Sequence, residues 1–148
     1  MANLAFLLAP LRDIPDTRDD RWMAAVCGWQ SGYPLRVSFE SGKPEHDAFR
    51  FSIPRMIASN EGDLLIWVSS FTPELTPPAT TIPTIVLGTP GLALTSPPAV
   101  FIPVGTPGVD HAGRLIRCDN VVSLPLRDLQ RSQLPRAADV LAAIESAL

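Results

Sequence analysis

Three continuous apolar runs dominate the hydrophobic pattern of this chain. They cover residues 64–68, 85–87 and 100–104, and each has the length of a strand. Runs in which polar residues do not alternate with apolar ones are typical of strands covered on both faces of a parallel or mixed sheet. The pattern therefore predicts a buried, mostly parallel core sheet.

Helices are predicted on either side of these runs. Thr17 followed by Asp20 resembles a capped first turn, which predicts a helix over about residues 18–27. Ser52 is positioned to cap a second, short helix that continues through Ile57 and stops at Asn60. A third helix is predicted after Pro135, with an apolar stripe at helical spacing made by Ala137, Val140, Leu141, Ile144 and Leu148.

The remaining segments complete the predicted architecture. Residues 35–39 alternate apolar and polar side chains, which predicts a half-buried strand closed by a turn at Ser41 and Gly42. A short strand is expected over residues 121–124, and the proline-rich residues 73–83 are expected to form an irregular crossover. Together these elements predict one α/β domain over residues 1–148. It contains a small, open, mostly parallel, Rossmann-like sheet with flanking helices.

Composition narrows the possible partners and the compartment. The net charge is −3 and there is no basic run, so neither nucleic acid nor a membrane is an expected partner. Residues 4–9 are apolar, but Pro10 and Arg12 cut the run short, so a signal peptide is not predicted and a cytoplasmic location is expected. Cys27 and Cys118 stand apart, which fits reduced thiols. The low charge and the apolar, proline-rich loops favour a surface covered by partner proteins.

The tetrapeptide Gly-Thr-Pro-Gly occurs twice, each time after an apolar run. It begins at Gly88 and again at Gly105, where an open α/β sheet usually binds ligands. Its amides and hydroxyls could cradle a phosphate, but neither copy has the spacing of a nucleotide-binding loop. Tight turns are the favoured interpretation.

The histidines each adjoin a carboxylate, as His46-Asp47 and Asp110-His111. Together they could form a metal or hydrolytic site, but a histidine beside an aspartate is more often an orienting hydrogen-bond pair or a surface ion pair. No catalytic residue and no metal ligand is predicted. The roles of His46 and His111 stay open at this point, as do those of Arg114 and Arg117, which could bind a partner's carboxylates or pair with nearby aspartates.

Three phrases of the sequence resemble a known family. They are GWQSGYPLRVSFESGKPEHDAFRF, DLLIWVSSFTPE and PAVFIPVGTPGVDHAGRLIRCDNV. In this order they resemble the carboxy-terminal part of the B subunit of formylmethanofuran dehydrogenase, and most of all its counterpart in the bacterial formyltransferase/hydrolase complex. The resemblance implies an α/β layer like the one that holds the cofactor tails in molybdopterin oxidoreductases.

Cofactor contacts, by this resemblance, would fall on a few strand-end residues. They are Ser69, Ser70, Gly88, Thr106, Asp110, His111 and Gly113. An iron–sulfur cubane needs about four thiolates, whereas this chain has two cysteines. We therefore expect no cofactor in this chain and treat those residues as vestigial candidates.

The resemblance leads to competing functions. The first is a non-catalytic scaffold in a complex that converts formyl-tetrahydromethanopterin to formate through a methanofuran-type carrier. Its partners would be formyltransferase and amidohydrolase-like subunits. The second is the distal fragment of a dehydrogenase B subunit, which carries a tungsten or molybdenum pterin dinucleotide. A free-standing binder of small ligands, using the two repeated loops, is the third.

Overall fold

The structure is a computed structural model that describes residues 28, 31–116 and 122–147. The predicted helix over about residues 18–27 lies outside the described residues, as do Cys27, Arg117 and Cys118. In chain order the elements are β1 (Val37–Ser38), β2 (Glu45–His46), α1 (Ile53–Ala58), β3 (Leu65–Ser69), β4 (Thr84–Gly88), β5 (Val100–Pro103), β6 (Gly113–Ile116), β7 (Ser123–Leu126) and α2 (Ala137–Ala147).

Strands β3, β4 and β5 form a parallel sheet in that order. They correspond to the three continuous apolar runs, so the predicted α/β fold with a parallel sheet is confirmed. Ile66 pairs with Ile85, which pairs with Val100, and the rows continue in register to Ser69, Gly88 and Pro103. All three strands therefore end along one edge, which we call the carboxyl edge.

Both faces of this central sheet are covered, which explains why its strands are apolar at successive positions. On one face, Ile66, Leu87 and Val104 are buried, and Ala137, Val140 and Leu141 of α2 pack against them. On the other face, Trp67, Val86 and Leu92 form a second cluster with Leu94 and Phe101. Ile53 and Ile57 of helix α1 pack against a further buried pair, Leu65 and Ile82.

The strand connections contain no helix, because prolines recur in both of them. Residues 70–83 and 89–99 are irregular, as predicted for the first of these segments. The first connection is tied to the sheet by Trp67, whose indole Nε1 donates to the carbonyl oxygen of Leu75 at 3.1 Å. The sheet therefore has parallel strands of the Rossmann kind without helical crossovers between them.

Helix α1 occupies the predicted segment, but the predicted cap is wrong in one respect. Ser52 stands at the N-cap in an extended conformation and makes no side-chain capping bond. Pro54 in the first turn already lacks an amide hydrogen and has a fixed φ, so the helix begins without that bond. Asn60, with φ of 52°, turns the chain away after the helix. Among the described residues, no helix is long and apolar enough to cross a membrane.

Two antiparallel ribbons lie apart from the central sheet. Strands β1 and β2 form the first ribbon, and β6 and β7 form the second ribbon. The strand predicted over residues 35–39 is reduced to Val37–Ser38, because Leu35 and Arg36 adopt left-handed φ values of 45° and 52°. Phe39 is 56% exposed rather than half-buried.

The second ribbon begins where the glycine-rich segment after β5 ends. Gly113 is the first residue of β6 and pairs with Leu126 of β7. The strand expected over residues 121–124 lies later, at Ser123–Leu126. The partner strand decides both bounds, because a short strand is stabilised by its cross-strand neighbours more than by its own sequence.

Candidate functional site at the carboxyl edge

The carboxyl edge brings together several residues that the sequence singled out. Ser69, Gly88 and Pro103 share one row of the sheet. The amide of Thr89 donates to the carbonyl oxygen of Ser69 at 3.2 Å, so the first two strand-end loops are in direct contact. The amide of Val104, the residue after β5, still donates to the carbonyl oxygen of Gly88 at 2.9 Å. The third loop therefore begins one residue beyond the end of β5.

Ser69 and Gly88 have structural surroundings. Ser69 is buried, and its hydroxyl donates to the carbonyl oxygen of Thr72 at 2.9 Å, which closes the turn after β3. A Cβ placed on Gly88 would lie 2.6 Å from Cδ2 of Leu92 and 3.4 Å from the Phe101 ring. Glycine at this position therefore leaves room for Leu92 against the sheet. Ser70, the next residue, is half-buried.

The loop from Thr106 to His111 folds back on itself. The carbonyl oxygen of Thr106 accepts the amides of Val109 and Asp110 at 3.1 and 2.9 Å, and the amide of Gly108 donates to His111 at 2.8 Å. Gly108 has a φ of 81°, which the turn needs and which other residues resist. The amide of Gly105 donates to the carbonyl oxygen of Pro135 at 2.9 Å. Within this loop, the amides of Gly105, Gly108, Val109 and Asp110 are therefore already donated to acceptors of the protein.

Asp110 organises this loop through both carboxylate oxygens. Oδ2 accepts the backbone amide of Thr106 at 2.8 Å, and Oδ1 accepts Nε2 of Gln130 at 2.7 Å. These donors stabilise the charged form, so the Thr106 amide first, then Gln130, and more weakly Ser132 and His111 lower the pKa of Asp110 from its ordinary value of 3.8. The carboxylate ties the loop to the chain that follows β7.

His111 presents neither ring nitrogen to an open space. Nδ1 lies 2.8 Å from the carbonyl oxygen of Ala112, and Nε2 lies 3.2 Å from that of Gly105. A metal ligand needs a nitrogen whose lone pair is directed at the ion, whereas here each nitrogen faces a carbonyl oxygen. Gly113 follows, and a Cβ on it would lie 2.8 Å from Cβ of Pro107. The six-residue loop and the start of β6 are thus packed tightly together.

The other histidine lies in the first ribbon and has a similar structural role. Nδ1 of His46 lies 3.0 Å from the carbonyl oxygen of Leu35, and its ring stacks on Tyr33 with 5.3 Å between centroids. Asp47 accepts the amides of Arg50 and Phe49, and these two bonds lower the pKa of Asp47. No group of three histidine, cysteine, aspartate or glutamate side chains converges anywhere in the described part of the chain.

Sequence reasoning missed the exposed apolar side chains near this edge. Leu129 is 80% exposed, and Val109 and Leu124 are 38% and 40% exposed. The amide of Leu129 donates to the carbonyl oxygen of Val109 at 2.9 Å, so those two residues are held side by side. The available signal was the segment Leu124-Pro-Leu-Arg-Asp-Leu129, which is apolar without belonging to a long buried run.

Comparison with known proteins shows a similarity in sequence to a subunit of an enzyme complex. Over 57 residues, which is 38% of its length, this chain is 35% identical to the B subunit of the formyltransferase/hydrolase complex Fhc of Methylorubrum extorquens. The resemblance to this B subunit is confirmed. No protein-family model matches the chain.

A solved structure extends the similarity from this segment to most of the fold. One chain in the crystal structure of the formyltransferase/hydrolase complex FhcABCD from Methylorubrum extorquens, determined with methylofuran, has a TM-score of 0.71 and 29% identity. The match covers 86% of the present chain and 36% of that chain. The sequence match likewise covers 16% of the B subunit, so the chain spans a minor part of both relatives. The predicted small α/β layer is therefore a fold that the complex also contains.

Proposed function

We propose that this protein is a scaffolding, non-catalytic subunit of a formyltransferase/hydrolase complex. Two similarities together carry the proposal: 35% identity to the B subunit over 57 residues, and a TM-score of 0.71 to a chain of the FhcABCD complex across 86% of this chain. The complex would convert formyl-tetrahydromethanopterin to formate through a methanofuran-type carrier in the cytoplasm. Formyltransferase and amidohydrolase-like subunits would be the partners, and they would supply the chemistry.

The chemistry of the strand-end residues supports a role without catalysis. A general base or nucleophile needs a side chain that can reach a substrate, whereas Ser69 donates inward to Thr72 and Asp110 is held by Thr106 and Gln130. His111 faces two carbonyl oxygens. The hydrogen bonds of these groups stabilise the loops of the protein itself.

The carboxyl edge is also where a pterin dinucleotide would bind. Its phosphates would need unhindered amides or hydroxyls at the carboxyl edge. The amides of Gly105, Thr106, Gly108, Val109 and Asp110 are donated to acceptors within the chain. The backbone donors of this loop are therefore not free for phosphates, which supports our proposal that this chain binds no tungsten or molybdenum cofactor.

The proposal is tested by isolating the assembly that contains this protein from its native host. Mass spectrometry should identify formyltransferase and amidohydrolase-like subunits in fixed stoichiometry, and the assembly should release formate from formyl-tetrahydromethanopterin only when a methanofuran-type carrier is present. Tungsten, molybdenum and pterin, measured in the same sample, are expected to be far below one per chain. Stoichiometric pterin and metal would instead identify a dehydrogenase fragment, and a protein isolated without partners would overturn both subunit functions.

A further inference from the structure

Three exposed apolar residues lie in the loop after β5, in β7 and in the segment after β7: Val109, Leu124 and Leu129. We call them together the Leu129 surface. Leu129 has the highest exposed fraction among the large hydrophobic residues, 80%, within the described part of the chain. Exposed apolar side chains that stand together usually mark a contact with another macromolecule.

The three side chains belong to one ordered unit. Val109 accepts the backbone amides of Leu129 and Gln130 at 2.9 and 3.0 Å, which fixes the segment after β7 against the loop after β5. Leu126 packs over Gly108, where an added Cβ would lie 3.0 Å from its Cδ1. Leu124 is on the same face of the second ribbon as Leu126, because strand residues two apart point the same way. A surface held in place before binding loses little freedom when a partner arrives.

Nothing in the described core covers this unit. Strands β6 and β7 pair with each other and with no other described strand. The three buried clusters include none of their residues. A ribbon of two strands is marginally stable unless its apolar face packs against something. The second ribbon is therefore expected to gain packing from outside the described fold.

The charge beside the Leu129 surface identifies the kind of partner. Residues 124–136 contain Arg127, Arg131 and Arg136 and one acidic residue, Asp128. Asp110 adds a second carboxylate beside Val109 and Gln130, so arginines outnumber carboxylates here in a chain whose net charge is −3. All three arginines are exposed. An apolar centre with an arginine-rich rim is complementary to an apolar patch flanked by carboxylates, and such complementarity favours encounter with acidic partners.

Backbone pairing is an unsuitable mode for this contact. Val104 donates to β4, so the backbone groups of its neighbour Pro103 point to the open side of β5, and proline offers no amide there. Pro125 removes another amide from β7. Both features discourage the addition of a strand, so side chains must carry the recognition.

We infer that the Leu129 surface docks another subunit of the formyltransferase/hydrolase complex, through a face with an apolar centre and an acidic rim. This rests on the proposed function and assigns the contact to named residues. Leu129 fills an apolar depression on the partner, and Arg127 and Arg131 pair with carboxylates around it.

The experiment measures binding of the full chain to one probe. The probe is the set of the other three complex subunits from the same host, co-produced without the B subunit and purified as one sub-assembly. Wild type is compared with Leu129→Ala and with the double variant Arg127→Glu, Arg131→Glu at low and high salt. Lys43→Glu, between the two strands of the first ribbon, and Phe49→Ala, three residues after that ribbon, are the first-ribbon controls; Phe49 is 79% exposed. Circular dichroism checks that every variant remains folded.

Leu129→Ala is expected to weaken binding by about tenfold or more, as removal of an interface anchor does. The double arginine variant should also bind more weakly, with a smaller dependence on salt. Both controls should stay within about twofold of wild type.

Different failures have different meanings. Normal binding by both variants of the Leu129 surface, or a loss confined to the first-ribbon controls, would overturn the inference and leave the proposed function standing. A wild-type chain that does not bind the sub-assembly would overturn both. If wild type forms a dimer that Leu129→Ala dissociates, the occupant is a second copy and the inferred partner is wrong.

Discussion

Alanine at Gly105 should destabilise the protein, because this glycine lies where three side chains converge. A Cβ would stand 2.9 Å from Cβ of Asp110, 3.1 Å from Cδ2 of His111 and 3.5 Å from Cβ of Leu134. A Cβ atom cannot rotate away from a clash, since it is attached directly to the backbone. The loop and the segment leading to α2 would have to separate.

The expected loss in the free energy of unfolding follows from two opposing contributions. Forcing extra volume into a well-packed site costs about 1–3 kcal/mol, while replacing glycine restricts the unfolded chain and returns about 0.4–1 kcal/mol. The net loss is therefore about 1–2 kcal/mol. Gly91→Ala is the matched control, because it lies in the other Gly-Thr-Pro-Gly copy and has no atom within 4 Å of its added Cβ. That variant should be neutral or stabilised by up to about 1 kcal/mol.

Urea unfolding followed by circular dichroism gives the free energy of unfolding of each variant. The two variants should differ by about 2 kcal/mol, or about 4–8 °C in melting temperature for a chain of this size. Equal stabilities, within about 0.5 kcal/mol, would refute the packing of the Gly105 loop described above. They would also reopen the possibility that this glycine serves a ligand.

Three further predictions concern the core, the loop carboxylate and a surface ion pair. Leu87→Ala should lower the free energy of unfolding by about 2–5 kcal/mol, because Leu87 is 0% exposed; urea unfolding measures it, and a loss under about 1 kcal/mol would contradict the burial. The pKa of Asp110 is lowered in the folded chain, so its stabilising effect is present above 3.8 and lost as the pH falls through the folded pKa. Asp110→Asn should therefore flatten the acid limb of the stability curve relative to wild type, and an unchanged limb would show that the Thr106 and Gln130 bonds do not favour the charged form. Glu61→Gln should change stability by less than about 1 kcal/mol, since the ion pair that Glu61 forms with Arg55 is partly exposed; a larger loss in urea would mean that the pair is shielded from solvent.

Hydrophobic periodicity alone predicted the central sheet and the last helix. The runs at residues 64–68, 85–87 and 100–104 became parallel strands, because a sheet covered on both faces requires apolar residues at consecutive positions. The stripe that includes Val140 and Leu141 became the side of α2 that packs on that sheet. Prolines in residues 73–83 likewise predicted a connection without a helix. These features depend on local chain geometry and on burial, which the order of residues encodes directly.

Only the tertiary structure decided what the strand-end groups do. The two Gly-Thr-Pro-Gly copies have the same sequence, yet Gly88 makes room for Leu92, while Gly105 lies against Asp110, His111 and Leu134. Asp110 finds its partner Gln130 twenty residues away, and Gly113 becomes a strand residue only because Leu126 pairs with it. Such contacts join residues distant in the chain, so no local pattern contains them. The sequence determines which residues prefer burial; the fold determines which of them, like Leu129, remain exposed, because exposure depends on where the other elements pack.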